Sequence, residues 1–138
     1  MSNASAEAAV WAVIQGMYDS FGAGDEAGIN TALADSATVW DVFEPELIRG
    51  LQERDEFHVR DRAQSTARGP LSMSIMPLQV DFFGEVAVAR YYLDFKYQPP
   101  NAVSGRVRIT DVLLPTTDGW EIQHHHEGIS PGGSPPTM

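Results

Sequence analysis

The sequence has 138 residues, 43% of them hydrophobic, and its 19 acidic and nine basic residues give a formal net charge of −10 at pH 7. A chain of this length fits one domain with its own apolar core, and the negative charge disfavours binding to nucleic acid or to anionic lipid. There is no cysteine for a disulfide, and no stretch approaches the roughly 18 apolar residues that span a bilayer. We therefore expect a cytoplasmic protein.

The first element is predicted as a helix. Between Ala6 and Phe21 the apolar residues recur at helical spacing, and Gly22-Ala23-Gly24 is a stop signal. Asp25 is then a suitable N-cap for a short second helix that carries Ile29 and Leu33. Two helices therefore meet at a glycine corner.

A strand and a third helix follow. Alternation predicts a strand over Ala37–Phe43, within which Asp41 is an acid among apolar residues. After a Glu44-Pro45-Glu46 turn, Leu51–Ala67 is charged with sparse apolar positions, and it predicts a largely exposed helix that ends at Gly69-Pro70.

The remaining chain predicts four antiparallel strands. The alternation that begins at Leu71 changes phase near Met76, which indicates a bulge. Gly84-Glu85 is typical of a hairpin turn, and its register sets Val80 opposite Ala89. Gln98–Ala102 and Thr116–Gly119 supply the next two turns.

These elements predict an α+β fold, in which a cone-shaped, strongly curved antiparallel sheet has its concave face covered by three N-terminal helices. We assign residues 1–130 to a single domain and expect a disordered Pro/Gly-rich tail over residues 131–138. A cone-shaped sheet leaves a cavity where the layers diverge, so we expect a pocket for a small apolar molecule.

Candidate chemistry falls on the last two strands. Counting back from the final turn sets Asp111 opposite His124, with both side chains inward and His125 outward. This pair is interpreted either as a general acid/base pair, with the carboxylate orienting the imidazole, or as a buried polar pair that fixes strand register. Inward His124 and His126 could also bind a metal with Asp111 or Asp41, but spacing alone is weak support. We predict no metal and no other cofactor.

Aromatic and polar residues on the predicted inner face are candidate ligand contacts. A buried tyrosine hydroxyl usually seeks a partner, which favours Tyr18 and Tyr91 as donors to a ligand. The full set is Met17, Tyr18, Phe43, Phe57, His58, Tyr91 and His126.

The outward face of the sheet is unusually apolar. Its alternation predicts a homodimer interface, and the same register sets Arg108 opposite Glu127 on this face. The apolar positions are Val86, Val88, Tyr92, Val112 and Leu114.

Three segments, "YDSFGAGDEAGINTALADSATVWD", "RG" and "DGWEIQHHHEGIS", resemble SnoaL-like and ketosteroid-isomerase-like domains of the nuclear-transport-factor-two-like superfamily. In ketosteroid isomerases an aspartate after "ATV-x" is the proton-shuttling base, which implies that role for Asp41. A second aspartic acid in the oxyanion hole matches Asp111, while the companion tyrosine falls on Met17, one residue before Tyr18. The resemblance implies a pocket for a hydrophobic or carbonyl-containing metabolite and isomerase- or cyclase-type proton transfer, or alternatively a non-catalytic ligand-binding or dimeric association module.

Overall fold

The computed structural model describes residues 3–65, 69–100 and 102–131. Within these ranges the chain forms three helices and six strands, and none of the helices is long and apolar enough to cross a membrane. The elements in chain order are α1 (Asn3–Ala23), α2 (Glu26–Ala32), β1 (Leu33–Trp40), β2 (Ile48–Arg49), α3 (Gly50–Ser65), β3 (Leu71–Phe83), β4 (Val86–Tyr97), β5 (Val103–Thr116) and β6 (Gly119–Ile129).

The predicted corner between the first two helices is confirmed. Gly24 has a φ of 70°, a left-handed conformation that suits glycine at a helix end. The Asp25 side chain accepts a hydrogen bond from the Gly28 amide at 3.1 Å and caps α2. The buried face of α1, which includes Val10 and Ile14, packs into the same core as Ile29 of α2.

The six strands form one curved, unclosed sheet in the order β2-β1-β6-β5-β4-β3. All neighbouring strands are antiparallel except β1 and β6, which run parallel, so the sheet is mixed and the prediction of a wholly antiparallel sheet is wrong at this pair. The parallel pair arises because α3 and the β3–β6 meander separate the two strands in sequence, and the meander returns β6 in the direction of β1.

The β3–β4 hairpin has the predicted register. Val80 lies opposite Ala89 and Phe82 opposite Ala87. The predicted bulge is present, but it lies two residues later than Met76, between Pro77 and Gln79. A proline cannot donate to the ladder, which makes this a favourable place for an interruption.

Strand β1 is displaced from its predicted position. It begins at Leu33, which was assigned to the second helix, and ends at Trp40 instead of Phe43. Asp41 ends it, because its Oδ2 accepts a hydrogen bond from the Phe43 amide at 2.9 Å and forms a local turn that competes with the sheet ladder. Asp41 therefore follows the strand instead of lying within it.

A second bulge changes the facing of the last strand. Near the turn, Pro115 pairs with Trp120 and Leu113 with Ile122, as predicted, but the next pair is Val112 with His124. Gln123 is the extra residue, and its side chain donates to the Ser36 carbonyl and hydroxyl on β1 at 3.3 and 3.1 Å. A slip of one residue turns every later side chain to the opposite face.

Two predicted segments fall partly outside the described residues. The tail over 131–138 does so apart from Pro131, and the end of the third predicted helix does so beyond Ser65. The assignment of residues 1–130 to one domain stays a prediction.

Candidate active site

A cavity of about 440 Å³ lies between the helices and the concave side of the sheet. This volume falls in the usual range for small-molecule sites. Most of its wall is apolar, with contributions from Met17, Phe21, Ile29, Leu93, Phe95 and Val107. Polar groups enter at a few points only, so each of them has a large effect on what can bind there.

Asp41 is one of these polar groups, placed on the cavity wall by the turn that follows β1. Burial raises the pKa of Asp41, the negative charge of Glu127 raises it further, and the Phe43 amide opposes both, with a net value of about 7. Near neutral pH the group can therefore both accept and donate a proton.

Glu127 lies next to Asp41 on the same wall and is held at both oxygens. Its Oε1 accepts from the Val42 amide at 3.0 Å, and its Oε2 lies 2.9 Å from Nε2 of His125. Burial alone raises the pKa of Glu127, but the bond to His125, the positive charge of His125 and the Val42 amide together outweigh burial, and the net pKa is lowered. Glu127 is thus the ionised member of the carboxyl pair, and Asp41 is the protonated one.

His125 connects this pair to the interior. Its Nδ1 lies 2.5 Å from Oδ1 of Asp111, which has no exposed surface. Burial lowers the pKa of His125, but Asp111 and then Glu127 more than offset burial, so the pKa is raised well above its ordinary value. With a carboxylate at each ring nitrogen, His125 is a buried imidazolium that donates to both.

Two tyrosines extend the chain of hydrogen bonds. Tyr91 donates from its hydroxyl to Oδ2 of Asp111 at 2.6 Å, and the hydroxyls of Tyr18 and Tyr91 are 3.0 Å apart. Because the Tyr91 proton is committed to Asp111, Tyr18 is the donor in the second bond. Burial, followed by the charge of Asp111, raises the pKa of both tyrosines, so they remain neutral.

A continuous hydrogen-bonded chain therefore runs from Glu127 through His125, Asp111 and Tyr91 to Tyr18. Asp41 lies beside Glu127, and Asp41, Glu127 and Tyr18 all belong to the cavity wall. The links between Glu127 and Tyr18 keep the buried charges paired. Chemically, Asp41 offers an acid/base group to a molecule in an apolar cavity.

Comparison with known proteins identifies the family of the chain. The family model of the SnoaL-like domain matches residues 10–130. The chain belongs to the SnoaL-like family.

Solved structures that resemble this SnoaL-like domain share its fold at low sequence identity. An NTF2-like family protein from Streptomyces avermitilis has a TM-score of 0.79 at 16% identity, covering 93% of this chain and 99% of that one. A ketosteroid isomerase-like protein from Erwinia carotovora atroseptica has a TM-score of 0.74 at 15% identity, covering 90% and 96%. The S. rosetta CaMKII hub has a TM-score of 0.69 at 20% identity, covering 88% and 95%. No curated protein sequence matches the chain.

Most of the predicted site residues lie on the wall of the SnoaL-like cavity. Phe43 is at the rim, since 77% of it is exposed. The wall residues among them are Met17, Tyr18, Asp41, Phe43, Phe57 and His58. Tyr91 and Asp111 are instead buried behind the wall, where each contacts another member of the hydrogen-bonded chain. The prediction that Tyr91 contacts a ligand, and that Asp111 faces the cavity, is therefore wrong.

The predicted facing of the three histidines is also wrong. His124 does not face Asp111, because its Nδ1 lies 2.6 Å from the Thr38 hydroxyl on β1, and His126 is exposed beside Trp40. The bulge at Gln123 turns His125 inward in their place. The same slip places Arg108 opposite Gly128 and moves Glu127 from the outer face to the cavity.

Three functional candidates on the SnoaL-like cavity wall escaped prediction: His125, Glu127 and Arg54. The first two depend on the bulge, for which Gln123 carries no recognisable signal. Arg54 appeared to be one charge of an exposed helix, yet only 2% of it is exposed. Within the described ranges, no group of three or more His, Asp or Glu residues is arranged to hold a metal ion.

Proposed function

We propose that this SnoaL-like domain binds a small apolar carbonyl compound and catalyses proton transfer at the carbon next to the carbonyl, with Asp41 as the base. The observation that carries the proposal is the position of the Asp41 carboxyl group on the wall of an apolar cavity, beside Glu127. Burial and the charge of Glu127 raise the pKa of Asp41 to about 7. A base is most effective when its pKa lies close to the working pH.

In the proposed step, an Asp41 carboxylate oxygen takes the proton from the α-carbon, and the C–H electron pair moves into a C–C double bond as the carbonyl becomes an enolate. Return of the proton to the α-carbon gives exchange. In a substrate with a β,γ C–C double bond the enolate is a dienolate, and return of the proton to its γ-carbon shifts the double bond and completes an isomerisation. Tyr18 belongs to the cavity wall, and in the proposed step its hydroxyl proton turns from Tyr91 to the enolate oxygen. Glu127 and His125 act as positioning residues for Asp41.

The proposal is tested by hydrogen exchange on bound ligands. Cyclic ketones that raise the melting temperature of the protein are incubated with it in D2O, and incorporation of deuterium at the α-carbon is followed by NMR. Asp41→Asn should abolish exchange while the ligand still binds, because an amide cannot accept the proton. Asp19→Asn, on the exposed side of α1, is the matched control and should retain full exchange. Undiminished exchange in Asp41→Asn contradicts the assignment of the base, and binding without exchange in any variant favours a non-catalytic ligand-binding module.

We also propose a homodimer formed through the outer face of the sheet. Its support is the paired Val88 and Val112, with the part-exposed Val86, Tyr92 and Leu114 around them. An apolar cluster of this kind on a sheet surface is typical of an interface. Val88→Glu should convert the dimer to a monomer in sedimentation equilibrium, whereas Thr117→Glu in the exposed turn should not. A wild-type protein that is monomeric at micromolar concentration contradicts the proposal.

A further inference from the structure

Two buried side chains on α3 that belong to the cavity wall each carry one nitrogen without a hydrogen-bond partner in the described part of the chain. Arg54 is 2% exposed and His58 is 7% exposed, and both belong to the cavity wall. Among the described residues, Nη2 of Arg54 and Nδ1 of His58 have no partner. A buried polar group without a partner costs free energy, so each atom has a strong preference for a ligand that supplies one.

Arg54 is held in place by its other nitrogens. Its Nε donates to Oδ1 of Asn30 at 3.1 Å, and its Nη1 donates to the Ala34 carbonyl at 3.1 Å. These bonds fix the plane of the guanidinium and leave Nη2 as the buried nitrogen without a partner in the described ranges. A guanidinium remains charged at any physiological pH, so this buried cation is best satisfied by an anionic oxygen.

No described carboxylate hydrogen-bonds to Arg54. Asp35 and Asp55 are exposed, and they act on it only through their charge. The other arginine on the wall, Arg60, already has an ionic partner in Glu44, at 3.8 Å. Arg54 is therefore the wall cation that an incoming anion satisfies best.

His58 stands one helical turn from Arg54 on the same face of α3. Burial, and then the positive charge of Arg54, lowers the pKa of His58, against smaller opposing effects of Asp55 and Asp61. The ring is therefore neutral near pH 7, and in one tautomer its Nδ1 carries the hydrogen. A neutral donor beside a fixed cation suits a carboxylate, whose two oxygens each need a donor.

We propose that Arg54 and His58 form a carboxylate subsite, so that the ligand of this cavity is an apolar monocarboxylate, and its substrate an apolar keto acid. The substrate class rests on the proposed function, whereas the subsite itself does not. The carboxylate oxygens accept from Nη2 of Arg54 and Nδ1 of His58, and the apolar body lies against the hydrophobic wall. Asp41 remains free for the proton transfer.

The wild-type protein alone gives a first test. Binding of 4-phenylbutyrate and of 4-phenylbutyramide, which differ in charge and hardly in shape, is measured by isothermal titration calorimetry at pH 7.5. We expect the carboxylate to bind at least about tenfold more tightly, because an anionic acceptor strengthens the bonds to a buried cation. Equal affinity, or tighter binding of the amide, would overturn the proposal.

Variants then show which residues cause the preference for the carboxylate over the amide. Arg54→Met should reduce the ratio of the two affinities to about twofold or less, and His58→Phe should reduce it by roughly threefold. Arg49→Met removes the same charge five residues away from an exposed position outside the cavity wall, and it should keep the full ratio. If Arg54→Met fails to fold, the ratio of the two affinities in His58→Phe, compared with the ratio in the wild-type protein, still tests the proposal. A ratio unchanged in both cavity variants would overturn the proposal.

Failure here is distinguishable from failure of the proposed function. Asp41→Asn should retain the preference for the carboxylate while losing deuterium exchange. If exchange depends on Asp41 but no carboxylate preference exists, the subsite is wrong and the base assignment stands. If the carboxylate preference exists but no exchange depends on Asp41, the subsite stands and the proposed proton transfer is wrong.

Discussion

His125 and Asp111 face each other across β5 and β6 with Nδ1 and Oδ1 2.5 Å apart, in a position with almost no contact with solvent. Glu127 holds the opposite ring nitrogen at 2.9 Å. One imidazolium thus neutralises part of the charge of two carboxylates, and the pKa of His125 is raised well above its ordinary value as a result. The stability of this end of the sheet depends on that cation.

Replacing His125 should therefore be strongly destabilising. In His125→Asn the two buried carboxylates lose their shared cation, and breaking a buried ion pair costs about 3 to 5 kcal/mol. The free energy of unfolding is measured by urea denaturation at pH 7. His126→Asn, in an exposed position on the same strand, is the control and should change stability by about 0.5 kcal/mol or less. Similar losses in the two variants would show that the facing of β6 is not as described.

The two tyrosines should differ in what their hydroxyls contribute. Tyr91→Phe removes a donor from the buried Asp111 carboxylate and should cost about 1 to 3 kcal/mol. Tyr18→Phe removes only a bond between two neutral hydroxyls and should cost about 0.5 to 1.5 kcal/mol. Thermal and urea denaturation of both variants check the order. A reversed order would mean that Asp111 does not depend on Tyr91.

Much of the fold could be predicted because its signals are local. Helical spacing along α1, the Asp25 cap and the Gly84 turn each depend on neighbouring residues, and each fixes an element or a register. The end of β1 was missed because the Asp41 side chain forms a turn with its own backbone, whereas alternation alone continues to Phe43. The parallel pairing of β1 with β6 depends on distant segments and has no local signal.

The candidate site was predicted only in part, and the reason is one residue. Counting from the turn placed His124 opposite Asp111, and the bulge at Gln123 moved His125 there instead. A bulge that is stabilised by side-chain bonds to another strand, here to Ser36, is not visible in the local pattern. Asp41 was identified by family resemblance, which depends on a short motif and is insensitive to the bulge.

Because the pKa of Asp41 is raised in the folded state, the stability difference between Asp41→Asn and the wild-type protein should vary with pH. The folded pKa of about 7 exceeds the ordinary value of 3.8, so between these pH values the folded state binds a proton that the unfolded state lacks. Stability from this group is therefore present below about pH 4 and is lost as the pH rises to about 7. Asp41→Asn has no such group, so its stability relative to wild type should increase over this window.

The size of this change in the free energy of unfolding follows from the pKa shift of Asp41. Each pKa unit corresponds to about 1.4 kcal/mol, which gives roughly 4 kcal/mol in full, and we expect about 2 kcal/mol because the side chain is part-exposed and solvent screens its charge. Urea denaturation of both proteins at pH 4.5, 6 and 8 measures it. A difference between Asp41→Asn and wild type that stays constant over this pH range would contradict the raised pKa.

The same pKa should govern the rate of proton transfer. Only the ionised Asp41 accepts a proton, so the exchange rate should rise about tenfold per pH unit below pH 6 and level off above pH 8. Glu127→Gln removes the negative charge that raises the pKa of Asp41 after burial, so the midpoint near pH 7 should move to lower pH. The profile is measured by NMR as initial deuterium incorporation at saturating ligand, with the fold of each protein checked by circular dichroism at every pH. A midpoint that stays in place in Glu127→Gln would show that a group other than Asp41 controls the rate, and a midpoint that moves upward would reverse the assignment of the ionised and protonated carboxyl groups.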